Sequence, residues 1–199
     1  FTKKFVNSYL MADGTRFTDK PDYDKIEFVN EVSGRDPRLA QTIRTTKGLN
    51  FSNCITGYQP HKYIVEANLG SSAASYNDLP LFRMAEVYLN YAEAKAELGE
   101  ITQGDLDISV NKIRARAKMP NLNLIAANGS PDPYLSSAET GYANVTGANK
   151  GVILEIRRER NIELVLESQN RWWDLMRWKE GACIGQKMEG LYIPADKIG

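Results

Sequence analysis

Phe82-Arg83-Met84-Ala85-Glu86-Val87-Tyr88-Leu89-Asn90-Tyr91-Ala92-Glu93-Ala94-Lys95-Ala96-Glu97 is the stretch whose reading decides the fold. Phe82, Ala85, Leu89, Ala92 and Ala96 recur at spacings of 3, 4, 3 and 4, the rhythm of one face of an α-helix. Arg83, Glu86, Asn90, Glu93 and Glu97 keep the same rhythm one position later and make an adjacent polar stripe. The spacing predicts a helix over 79–98, with Asp78 as N-cap, Pro80 in the first turn and Gly99 as the C-terminal glycine. Its apolar face is built from small residues, so a second helix can approach it closely.

That second helix is expected over 106–118. Leu106, Val110, Ile113 and Ala117 recur at 4, 3 and 4, Asp105 can cap the start, and Met119-Pro120 ends it. Arg114, Arg116 and Lys118 crowd the last turn, where the helix dipole favours cations. Against a tetratricopeptide pattern, Ala92, Gly99, Ala115 and Pro120 fit with about four residues inserted in the turn. One diverged repeat is therefore expected, a helix pair over 78–120. The fold class read from these patterns is mostly α, a helical-repeat scaffold with long irregular loops.

Outward from this pair the chain is less regular. Residues 1–77 read as loop-rich, with turns at Asp13-Gly14, Asp19-Lys20-Pro21-Asp22 and Gly34-Arg35-Asp36-Pro37. Lys25–Val32 is expected as a short helix and Tyr63-Ile64-Val65 as a short strand. Residues 121–150, rich in Asn, Gly, Ser and Pro, read as a long surface loop. Two C-terminal helices are expected within 151–181, from Val152 to about Glu167 and from Asn170 to Glu180, followed by a tail over 182–199.

Composition excludes several functions. Of 199 residues, 25 are Lys or Arg and 25 are Asp or Glu, so no whole-chain field steers the molecule to nucleic acid or anionic lipid. The basic residues are interleaved with acids, which also argues against nucleic acid. Hydrophobic residues make up 42%, a globular balance, and apolar runs fall far short of the roughly 20 residues needed to span a bilayer. A single histidine, His61, and two distant cysteines, Cys54 and Cys183, leave little room for metal or thiol chemistry. The cysteines are read as free thiols and His61 as an exposed loop side chain. Asp13, Asp19, Asp22 and Asp24 lack EF-hand spacing and are read as turn residues. No metal ligand set and no cofactor motif is found.

Four ordered motifs carry a family resemblance. The stretch Leu79 to Ala94, then Asn111-Lys112-Ile113-Arg114-Ala115-Arg116-Ala117, then Ile156 to Leu164, then Glu167 through Arg171-Trp172-Trp173-Asp174-Leu175-Met176-Arg177-Trp178 resemble successive motifs of the SusD/RagB family. Gly34-Arg35-Asp36-Pro37-Arg38-Leu39 and Asp13-Gly14-Thr15 resemble two of its turns. One departure is Ser168-Gln169, where the family has a glycine after the glutamate. The resemblance covers nearly all of 1–199 and corresponds to the C-terminal portion of longer family members, a SusD-like α–α superhelix fragment cut at both ends. It implies a surface glycan-binding lipoprotein of a Bacteroidetes outer membrane. It further implies an oligosaccharide ligand, a TonB-dependent transporter as partner, and a membrane link only through a lipid anchor outside this chain.

Several residue groups invite chemistry. Glu155, Glu159, Glu163 and Glu167 stand four apart, a carboxylate stripe along one helix. Structural ion pairs with Arg157, Arg158, Arg160 and Arg171 are the expected reading, and a glycosidase built on Glu159 and Glu163 is the catalytic alternative. Arg160, Arg171, Asp174 and Arg177 read as a buried ion-pair network or, functionally, as a sugar clamp. Trp172 and Trp173 are roughly 100° apart on a helix, so at most one faces a given ligand, and Trp173 and Trp178 are expected in the core. The resemblance implies sugar contacts from loops, and the loop aromatics Tyr58, Tyr134 and Tyr142 are the carbohydrate-binding candidates. No catalytic residue is assigned. A helical adaptor that binds protein and no glycan is the other alternative.

Overall fold

The computed structural model describes residues 1–46, 54–64, 77–78, 80–167 and 170–197. Within them the chain is mostly helical: α1 Lys3–Asn7, α2 Phe28–Glu31, α3 Arg38–Thr42, α4 Met84–Glu97, α5 Gln103–Ile108, α6 Val110–Arg116, α7 Leu124–Gly129, α8 Pro133–Ser136, α9 Lys150–Glu163 and α10 Asn170–Arg177. No strand forms among the described residues. Three isolated bridges pair Met11 with Arg35, Glu27 with Tyr192, and Ile43 with Pro60.

Helix α4 buries the face that its spacing predicts: Ala85, Leu89, Ala92 and Ala96 are all inside. Its start differs. Arg83 is the N-cap residue, in an extended conformation and with no side-chain cap, because its guanidinium reaches away to Glu163 and Glu167. Asp78 and Pro80 therefore lie outside the helix, and Phe82 is 81% exposed, not part of the core stripe. At the other end Gly99 does close the helix, at φ +76, with its N–H on Ala96 O and the Glu100 N–H on Lys95 O.

The second helix of the pair is two. Thr102 and Asp105 form a reciprocal capping box that starts α5 earlier than the apolar period alone indicates. Ser109, at φ −128 and ψ −95, then interrupts the helix while its hydroxyl donates to Asp105 O at 2.5 Å. Leu106, Val110, Ile113 and Ala117 remain buried on both sides of the break. The pair thus keeps its packing face at the cost of one hydrogen-bond register.

The stretch 121–150 is not a bare loop. Asn123 accepts the Ala126 N–H to cap α7, and Asp132 accepts the Tyr134 and Leu135 N–H groups to cap α8, with Pro133 in its first turn. The Asn, Asp and Pro that read as loop signals are helix caps. Asn128 goes further: its Oδ1 accepts the Val152 N–H at 2.9 Å and so caps α9 from outside. Tyr63 sits in a turn at φ +66, which removes the strand expected there; Val65 lies outside the described residues.

Helix α9 is the axis of the molecule. From Gly151 to Arg160 every residue is buried, charged ones included. One side meets α4 and α7 in the larger core, with Ala92, Leu106, Val110, Val152, Leu154, Ile156 and Trp178. Its C-terminal end carries Ile162 into a second core with Val6, Tyr9, Leu39, Ile43 and Tyr58. The expected helix to Glu167 stops at Glu163, and Leu166 at φ +60 turns the chain toward α10. In α10, Asp174 and Leu175 face inward and Trp178 follows them into the core, whereas Trp173 is 61% exposed, against expectation. An eight-residue helix has one buried side, and Trp173 is on the other.

Gly151 is where α7 crosses α9. A Cβ there would stand 1.9 Å from the Ala127 carbonyl oxygen, which is backbone and cannot swing aside. Gly151→Ala is expected to cost about 1–3 kcal/mol through forced separation of the two helices. Gly129→Ala, whose added carbon meets nothing within 4 Å, is expected to stay within about 0.5 kcal/mol of the parent. Paired thermal melts check both, and equal midpoints would show that α7 yields freely.

Candidate functional site

The carboxylate stripe of α9 sits in a lattice of cations drawn from four other parts of the chain. Glu155 accepts from Arg114 at 3.0 Å and from Arg158 at 3.2 Å. Glu159 accepts from Arg114 Nε at 2.8 Å and from Arg38 Nη1 at 3.0 Å. Glu163 takes Arg38 at 3.2 Å and Arg83 at 2.6 Å, and also Arg116. Glu167 takes Arg83 Nε at 2.7 Å and Lys62 at 2.6 Å. Asp36 in turn clamps Arg38 through Nε and Nη2.

Ion pairing is as expected, but the partners are not. Of Arg157, Arg158, Arg160 and Arg171, only Arg158 reaches the stripe among the described residues, three positions on from Glu155. Arg157 goes to Glu97 and Glu180, Arg160 to Asp174 and Asn90, and Arg171 to the Tyr142 hydroxyl. The polar cluster around Asp174 is correspondingly smaller than expected. Arg160 and Arg177 hold its two oxygens, and Arg177 continues to Glu93, which also accepts the Trp178 indole N–H at 2.5 Å.

These pairings decide the electrostatics. Burial alone would raise the Glu159 pKa, but Arg38 and Arg114 hold it down at about 2. Glu167 is likewise lowered, its burial outweighed by hydrogen bonds from Arg83 and Lys62. A glycosidase needs one carboxyl that keeps its proton near neutral pH. Glu159, gripped by two guanidinium groups, is held ionised instead.

The three tyrosines are not gathered in one place. Tyr58 is fully buried, its hydroxyl donating to both oxygens of Glu31 at 2.9 Å. Tyr142 is also buried, edge-on to Trp178 at 5.6 Å, and its hydroxyl accepts from Arg171 at 2.9 Å. Tyr134 is half-buried, edge-on to Tyr23, with Asn7 donating to its hydroxyl at 3.3 Å. Tyr58 and Tyr142 are thus buried side chains and not the exposed loop platforms expected, although Tyr142 borders one of the molecule's hollows. Both phenols instead find a polar partner inside, which is what permits a tyrosine in a core.

Two hollows remain. One, of about 550 Å³, lies between α1, the Thr140–Tyr142 segment, the end of α9, the start of α10 and the 3-10 turn Gly181–Gly185. Phe5, Tyr142, Leu164, Leu175 and Ile184 give it apolar walls, and Lys4, Asn161, Asn170, Arg171 and Gln186 give it polar groups. Its size falls within the roughly 300–1,000 Å³ usual for small-ligand sites. The second, of about 540 Å³, opens beside Trp178 and is lined by Glu93, Glu97, Asn144, Arg157, Arg177 and Lys179, charges that largely pair with one another. Tyr142 and the sugar-clamp group Arg160, Arg171 and Asp174 border the first hollow, but its outline was not legible in the sequence because it is assembled from remote segments. Cys54 and Cys183 are both free, and His61 is exposed. Among the described residues no cluster of His, Cys, Asp and Glu is arranged to hold a metal ion, and no helix is long and apolar enough to cross a membrane.

Comparison with known proteins gives this geometry a relative. The chain is similar to a SusD-like carbohydrate binding protein from Bacteroides fragilis NCTC 9343, at 29% sequence identity and a TM-score of 0.59. The likeness covers 89% of this chain and 35% of that one, so the present chain spans about a third of its relative's length. No curated protein matches. The SusD family itself matches from residue 1 to residue 197. The motifs around α4, α6 and α9 that resembled this family supply Arg83, Arg114 and the glutamate stripe to one ion-paired network, and the α10 motif supplies Asp174 to a second. The chain belongs to the SusD family.

Proposed function

We propose that this chain is part of a non-catalytic oligosaccharide-binding protein, and that the 550 Å³ hollow at α1 and α10 takes part of the ligand. The observation that carries the reading is the likeness, over 89% of the chain, to a protein described as carbohydrate binding. The hollow supports it chemically. Phe5, Tyr142 and Leu175 offer apolar surface to the CH face of a sugar ring, and Asn161, Asn170 and Gln186 offer amides to its hydroxyls. The ion-paired state of α9 supports binding without turnover. In the full-length protein the reading extends to a lipid-anchored receptor at the outer-membrane surface that passes glycan to a TonB-dependent transporter.

Calorimetric titration with a panel of plant and host glycans, with product analysis of the same samples, tests this. Binding without released sugar is expected. Released sugar that disappears in Glu163→Gln would replace the reading with a glycosidase. A protein-binding adaptor is favoured by one observation, the uncovered stripe Met84, Val87, Tyr91 and Leu98 on the outer side of α4. Capture of a transporter by a chain that no polysaccharide gel retards would select that alternative.

A further inference from the structure

The arginines near the α1–α10 hollow each answer a carboxylate. Arg158 holds Asp132 and Glu155, Arg160 holds Asp174, and Arg177 holds Glu93 and Asp174. Arg171 does not. Among the described residues it makes no ion pair; one guanidinium nitrogen donates to the Tyr142 hydroxyl at 2.9 Å, and the group lies 5.4 Å from that ring's centroid. Lys4 borders the same hollow and likewise has no carboxylate partner among the described residues, its ammonium donating to Cys183 O at 3.3 Å and to Gln186 Oε1. Of the five cations that line the cavity, Arg158, Arg160 and Lys187 are paired with carboxylates, and Lys4 and Arg171 have only neutral oxygens for company among the described residues.

The cavity's own acids do not neutralise them. Glu167 and Asp174 both border it, but Glu167 is taken by Lys62 and Arg83 and Asp174 by Arg160 and Arg177. Burial lowers the Lys4 pKa; Cys183 opposes that shift and the charge of Arg171 adds to it, so an uncompensated positive field reaches Lys4 from Arg171. Apolar walls make that field stronger than in water. The arrangement lacks one component, an anion between the two cations. A planar guanidinium is matched in shape to a carboxylate, and an ammonium beside it adds a second donor.

We propose that the α1–α10 hollow recognises a carboxylate-bearing sugar, a uronic acid or a related acidic residue, through Arg171 and Lys4. This rests on the oligosaccharide-binding reading and narrows it to a class of glycan. Tyr142, Phe5 and Leu175 then meet the ring face while Asn161, Asn170 and Gln186 meet its hydroxyls.

The test is a calorimetric comparison of trigalacturonate with the same trisaccharide after its carboxyl groups are reduced to alcohols. The acidic sugar is expected to bind at least tenfold more tightly, with the preference shrinking as salt rises. Arg171→Gln is expected to erase most of that preference, bringing the affinities for the acidic and the neutral sugar within about twofold of each other. Lys4→Gln is expected to do the same and serves where Arg171→Gln melts early. Equal affinity for the two sugars, or a preference that survives both substitutions, would overturn the proposal while leaving glycan binding intact. Acetate competing as well as trigalacturonate would also overturn it, by showing a site for small carboxylates. A chain that binds neither these sugars nor any glycan of the wider panel would remove the oligosaccharide-binding reading and this inference together.

Discussion

Glu159→Ala is expected to destabilise the chain by about 3–5 kcal/mol, a large part of the roughly 5–15 kcal/mol that holds a domain together. Glu159 is 1% exposed, and its two oxygens are the meeting point of Arg114 and Arg38. Truncation leaves both guanidinium groups buried. Arg38 keeps Asp36 and Glu163, and Arg114 keeps Glu155, so the loss is partial and the fold itself survives. In a domain of this size the thermal midpoint is expected to drop by roughly 10 °C. Denaturant titration of parent and variant measures the difference, and a cost below about 1 kcal/mol would show that the network rearranges to cover the gap.

The same residue gives a pH signature. Its folded pKa is about 2, against an ordinary value of 4.5. A depressed carboxyl contributes stability that is present above the ordinary value and is lost as pH falls toward the folded one. The parent is therefore expected to lose stability between about pH 4.5 and pH 2. Glu159→Gln cannot titrate there, so its curve should fall less steeply across that window. Parallel curves would assign the acid loss to other groups, with Glu167, also lowered, the first to examine.

The second large effect is expected from Ala92→Glu. Ala92 has no exposed surface and lies in the larger core with Leu106, Val110, Val152 and Ile156, on the face of α4 that meets α9. A methyl group there lets the two helices approach. A carboxylate in its place has no cation among those apolar neighbours and too much volume for the gap, so it both separates the helices and leaves charge unsolvated. The cost is expected to be on the order of 4 kcal/mol. Ala94→Glu, on the exposed side of the same helix, controls for propensity and should change little. Similar melts for the two variants would mean that α4 does not seal the core.

What the sequence made legible were the features that repeat. The 3–4 rhythm of Ala85, Leu89, Ala92 and Ala96 placed α4, and the fourfold spacing of the glutamates placed the acidic face of α9. Features set by distant partners were not legible. Arg83 delays the start of α4 because its guanidinium is drawn to Glu163 and Glu167, about eighty positions away, and no local pattern announces that. Asn123, Asn128 and Asp132 are the same residue types whether they make a turn or cap a helix, so α7 and α8 were hidden inside a stretch read as loop. The site was the least legible of all. Tyr58, Tyr134 and Tyr142 stood out as loop aromatics and Arg171 only as one of a cluster, whereas the lack of a carboxylate partner that sets Lys4 and Arg171 apart shows only once the pairing of the nearby arginines is known. A local clue did exist in Asp36-Pro37-Arg38, where the aspartate sits two residues before the arginine it clamps.

The burial of α9 also governs the order in which the molecule can assemble. Its glutamates need Arg38, 121 to 125 positions earlier, Arg83, 80 positions earlier, and Arg114, 41 to 45 positions earlier. Any partial structure that buries this helix before all three arrive strands charges of one sign in its interior. Such species are penalised, so helix and partners must condense in one late step that waits on long-range loop closure. Amide hydrogens of α3, α6 and α9 should therefore exchange as a single cooperative unit, while the outer residues of α10 open independently.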